Sequence, residues 1–103
     1  MRRLKKIEVI KVRAVEVEEG RWFCLVDQEN YDQDKQIIVF NKHTTVFERL
    51  PGRKFIEGEE CIPIRLVKPR SITKPGRFYV ASDAEVLAFK VKPLELLTLL
   101  SLY

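Results

Sequence analysis

Two kinds of side chain in this sequence could grip a flat, anionic ligand: aromatics near the ends of strand-like runs, and cations gathered where acids are absent. Phe40 lies near the end of the run Lys35 to Asn41, KQIIVFN; Trp22 opens WFCLVD; Phe78 and Tyr79 follow a stretch that holds Lys68, Arg70, Lys74 and Arg77 and no acid. Flat rings stack on bases, at roughly 1–3 kcal/mol per base, and cations follow phosphates, so the combination suits a single-stranded nucleic acid. The competing reading is packing, because most aromatics of a small β-protein fill its interior and loop cations are commonly only solvated. Alternation along KQIIVFN puts Ile37 and Val39 on one side and Gln36, Ile38 and Phe40 on the other. We expect Phe40 to face a nucleic-acid groove.

Other chemistries find little footing. His43 is the only histidine, and no Ser, Cys or carboxylate stands at a spacing that suggests a triad or a metal site, so no catalytic role, no metal and no cofactor are expected. Cys24 and Cys61 are far apart and lack any CxxC or histidine spacing, which argues against zinc. The acids between Asp27 and Asp34 lack the regular ligand order and closing Glu of a calcium loop, and read as a solvated turn.

The length of 103 residues bounds the chain to one domain with a modest core, and 46% hydrophobic with 33% charged residues is a globular profile. A net charge of +4 permits a polyanionic partner without requiring one. The charge is polarised. Arg2, Arg3, Lys5, Lys6, Lys11 and Arg13 crowd the start, where a basic arm can also be merely solubilising, whereas Ala14 to Gln36 is predominantly acidic. No signal peptide and no stretch approaching the ~20 apolar residues of a membrane span are read, so an intracellular protein, cytoplasmic or nucleoid-associated, is expected.

The elements that must position these residues follow from periodicity and punctuation. From Leu4 to Val17 the apolar phase falls on Ile7 and Val9, then Ile10, Val12 and Ala14, then Val15 and Val17, as in a long strand with a β-bulge or strong coil. Glu18 to Arg21 makes a tight turn into a returning strand, Trp22 to Asp27; Gln28 to Asp34 is a loop or twisted hairpin tip; Lys35 to Asn41 is the central strand. Thr45 and Glu48 have capping-box spacing, and Val46, Phe47 and Leu50 share a helical face ahead of Pro51-Gly52, so a short helix is expected there. Cys61 to Val67 alternates as a half-buried strand in which Pro63 demands a sheet edge or a break in the ladder. The last strand runs from Arg77 to about Phe89.

Strand, strand, strand, helix, strand, strand, with a long coiled first strand, is the layout of an all-β, five-stranded OB-fold barrel. The stretches CLVDQE, IIVFNK with VFERL after it, and RFYVASDAEVLAF resemble the OB-type single-stranded-DNA-binding domains of replication protein A and its archaeal relatives. The likeness spans roughly Ile7 to Phe89. It implies a stacking role for Phe40, a second stacking aromatic best matched by Phe78, and a non-enzymatic part in replication, repair or strand protection. Trp22 and Tyr79 are further candidate rings. Gln36 stands where relatives often carry a base, and the acidic turn before it departs from the pattern. An RNA-binding module, and an adaptor whose groove holds protein, are the alternatives.

The expected organisation is a barrel over residues 1–92 with its basic arm, and a terminal leucine-rich helix or tail over 93–103, which Pro93 can open. Leu94, Leu96, Leu97, Leu99, Leu100 and Leu102 exceed what one barrel surface could cover, so an interface through Leu96, Leu97, Leu99, Leu100 and Leu102 is expected, as a dimer or with another OB subunit. The resemblance points the same way, since subunits of that family join through helices after their OB domains. The alternative is a segment folded back on its own barrel.

Overall fold

The computed structural model describes residues 5–27, 30–40, 44–68 and 78–99. It is mostly β, with nine strands and one α-helix among these residues: β1 Lys5–Arg13, β2 Trp22–Leu25, β3 Tyr31–Asp32, β4 Ile37–Phe40, β5 Val46–Arg49, β6 Lys54–Ile56, β7 Glu59–Lys68, β8 Phe78–Ala81, β9 Glu85–Phe89 and α1 Pro93–Leu99. Every ladder is antiparallel, in the order β3-β4-β1-β9-β2-β5-β7-β6, with β8 on the other edge of β7. Among the described residues no ladder joins β3 to β6 or β8, so the sheet does not close. The expected β-rich class is present, but the sheet is open where a closed barrel was expected, and the described residues form nine strands where five were expected.

Each face of this sheet carries its own core. Ile7, Val9, Trp22, Cys24, Ile38, Phe40, Val46, Leu87, Phe89 and Leu96 form the first, with Tyr31, Val67 and Val91 packed against it. Ala14, Val17, Phe23, Ile62, Ile64 and Val86 form the second, flanked by Val12, Leu25, Phe47, Val80 and Ala88. The phase shift along β1 has its explanation here. Its first half pairs with β4 and buries Ile7; its second half pairs with β9, buries Val9 in the same core and turns Val12 toward the other. Both ladders run in unbroken register, so no bulge is needed: the alternation never changes, only the side that is covered.

Two expected connections are rerouted. β1 and β2 are not a hairpin, because β9 lies between them and bonds to both. A 3-10 turn at Ala14–Glu16 and a tight turn at Gly20, whose φ of +84° suits glycine, carry the chain away and leave that slot open. The expected helix over 45–50 is strand β5. Its four residues, too few for a helix, pair with β2 on one side and β7 on the other, and Glu48 accepts from Arg65 at 2.8 Å instead of capping a helix. The break expected at Pro63 is present. β7 changes partner there, from β6 at Cys61 to β5 at Ile64, and Pro63 uses only its carbonyl, accepting from Leu50 N–H at 2.9 Å. The single strand expected from Arg77 to Phe89 is divided by Ser82–Ala84 into β8 and β9.

Candidate nucleic-acid interface

The ring expected to lead the site is in the core. Ile38 lies opposite Ile7 on β1, so the face that β4 presents with Ile38 and Phe40 is the covered one, while Ile37 and Val39 are half-buried. Phe40 is 0% exposed and packs on Phe89 with ring centroids 5.7 Å apart. The alternation read from KQIIVFN holds, but its outward side is reversed, and Phe40 offers no face to a base. Trp22 is corrected in the same way: it is 8% exposed within the first core, and its indole Nε1 is buried without a hydrogen-bond partner. Gln36 is exposed at the left-handed residue before β4, with φ of +52°, and its carbonyl accepts from Val9 N–H at 3.0 Å.

Lys68 ends β7 opposite Val46 and holds its Nζ 5.4 Å from the centroid of the Phe40 ring. Desolvation lowers its pKa, and the neighbouring Cys24 thiol offsets part of that. Burial in turn pushes the Cys24 thiol up to about 12, so it stays a protonated core group with no nucleophilic character. Arg70, Lys74 and Arg77 lie outside the described residues, as do Leu100 and Leu102 and the side chains of Leu97 and Leu99. Leu96 is 0% exposed in the first core of its own chain, so it seals this molecule and is not open to a neighbour; Leu94, on the same short helix, is 77% exposed.

Phe78 is the expected ring that the structure leaves open. It is 47% exposed, lies opposite Ile64 on β7, and meets Phe47 edge-on with centroids 6.3 Å apart. Tyr79 follows it at 36% exposure, opposite Pro63, with the Lys54 Nζ 5.0 Å from its ring centroid. Lys54 belongs to the β6–β7 hairpin, which also exposes Phe55 and Ile56, with Arg53 just before it. Arg53 is paired with Glu60 at 3.0 Å and Arg65 with Glu48 at 2.8 Å, so much of the fixed charge here is locally balanced. The sequence reading missed Lys54 and Phe55. Their signal was a Lys-Phe-Ile run immediately before Glu57-Gly58, a two-residue hairpin turn in which both residues have positive φ.

A groove of about 260 Å³ next to Trp22 is a weaker candidate for a polyanion. Glu16 and Glu18 line it along with Arg21 and Lys90, and this balance of charge gives no net attraction for phosphate. Among the described residues no group of three or more His, Cys, Asp or Glu could hold a metal ion, and no helix is long and apolar enough to cross a membrane. No family model, curated protein or solved structure matches this chain.

Proposed function

We propose that this protein is a non-enzymatic module that binds single-stranded nucleic acid, DNA in the first instance, through strand β8 and the adjoining β6–β7 hairpin. One observation carries the reading. Two exposed aromatics, Phe78 and Tyr79, stand at the start of β8 directly after a segment of four cations and no acid, residues 68–77, and Lys54 adds a cation over the Tyr79 ring. Exposed rings with nearby cations are what sequence-tolerant binding of single strands requires. The resemblance named above supports the ligand class and Phe78, while the burial of Phe40 and Trp22 moves the contact surface away from the groove it implied.

The test is fluorescence anisotropy of labelled oligonucleotides, because a buried Trp22 is a poor reporter. Single strands should bind more tightly than duplex at low salt, with a steep loss of affinity as salt rises through counterion release. Tyr79→Ala should weaken binding by roughly 1–3 kcal/mol without altering the denaturation midpoint. Equal affinity for duplex and single strand overturns the proposal. Matched RNA and DNA strands decide between the two nucleic acids, whose discrimination rests on the 2′-OH.

A further inference from the structure

Phe78 and Tyr79 are consecutive in one strand, so their side chains leave opposite faces of the sheet. The packing agrees: Phe78 meets Phe47, which flanks the second core, whereas Tyr79 lies beneath Lys54 on the other side. A ligand touching both rings must pass around the strand and cannot lie flat on either face.

The backbone register shows where it would pass. Among the described residues β8 is paired on one edge only, to β7. Ser82 N–H donates to Glu60 carbonyl at 3.0 Å, so the bonded pairs, two residues apart, are Val80 with Ile62 and Phe78 with Ile64. Tyr79, opposite a proline that has no N–H to give, sits at a non-bonded position and directs its own N–H away from β7. That donor lies between the two rings, on the line by which a phosphate would cross the edge.

We infer that a bound single strand crosses the outer edge of β8 with two adjacent bases splayed to opposite faces of the sheet, one on Phe78 and the next on Tyr79. This rests on the single-strand reading above and specifies its ligand. Bases held on opposite faces cannot stack on each other, so the strand must give up one base–base stack at the crossing. Oligothymidylate loses little by this and oligodeoxyadenylate loses more, because sequence preference in such binding follows stacking strength and backbone flexibility. A duplex cannot splay neighbouring bases without breaking its pairs.

The experiment compares short oligothymidylate and oligodeoxyadenylate in anisotropy titrations with the native protein, Phe78→Leu and Tyr79→Leu; leucine keeps apolar bulk and removes the flat ring, and a thermal melt confirms that each variant is folded. The native protein should prefer thymidylate by about tenfold, and the bound adenylate strand should lose part of its stacked-base circular dichroism. Either substitution should bring the two affinities close to parity, since one remaining ring can hold a base without breaking a stack. Equal native affinities, or a preference that survives both substitutions, overturn the splayed arrangement while leaving single-strand binding intact. Failure of every single strand to outbind duplex overturns the function and the arrangement together.

Discussion

Phe40 and Phe78 have the same side chain and opposite circumstances, and substitution should separate them cleanly. Phe40→Ala removes a ring with no exposed surface and should destabilise the protein by roughly 3–5 kcal/mol in urea titration, with the oligonucleotide affinity of the folded fraction unchanged. The alternation around Phe40 was legible in KQIIVFN, but its outward side was not. Both faces of that run are apolar, and what decides between them is Ile7, which pairs with Ile38 thirty-one positions later. Phe78 was legible because the cations before it carry no acids among them, whereas Lys54 reaches Tyr79 only through strand pairing that no local pattern announces. At Cys24 the prediction concerns pH. Its thiol is raised from an ordinary 9.0 to about 12, so above 9 the unfolded chain loses a proton that the native state keeps. Stability therefore falls with rising pH across that window, by up to roughly 1.4 kcal/mol per pH unit. Lys68, its pKa lowered by desolvation, acts in the opposite sense just below 10.5. Comparing native protein with Cys24→Ala at pH 8 and pH 10.5 isolates the thiol: the native protein should lose more stability between the two.

Among the elements, the most instructive departure is β5. Thr45 and Glu48 have the spacing of a helix cap, yet Val46 and Phe47 suit a pleated surface, and two waiting strand edges supply ladder bonds that a single helical turn could not match. Pro63 was informative for the opposite reason: a missing N–H is a local fact, and it marks the place where β7 passes from one partner to the other. The β6–β7 hairpin offers a direct test of local geometry. Glu57 has φ of +52° and Gly58 of +82°, both left-handed, and glutamate is a poor occupant of the first position. Glu57→Asn should raise stability by about 0.5–1 kcal/mol in thermal or urea unfolding, because asparagine tolerates this backbone and favours this turn. A decrease would mean that the Glu57 side chain contributes more than its backbone strain costs.

At the scale of the molecule, sequence pattern conveyed a β-rich chain with a long first strand and a terminal helix opened by Pro93, but not the insertion of β9 between β1 and β2. Strand order depends on contacts between distant residues, and nothing in the local pattern of either strand records its neighbour. The open sheet curves enough to bring Lys68 on β7 to 5.4 Å from the Phe40 ring on β4, five strands away in the order, while its other face carries the second core. Strands β9 and β2 lie at the centre of that arrangement: Val86 and Phe23 enter one core, Leu87, Phe89, Trp22 and Cys24 enter the other, β9 bonds to β1 and β2 along its two edges, and β2 bonds to β9 and β5. Neither core can open without disturbing both strands. Amide hydrogens of β9 and β2 should accordingly be the slowest to exchange with deuterium, at a rate set by global unfolding, while those of the exposed β6 hairpin exchange through local fraying. Two cores stitched through shared strands make a single cooperative unit, so a chemical probe that reports on either face should record the same melting temperature.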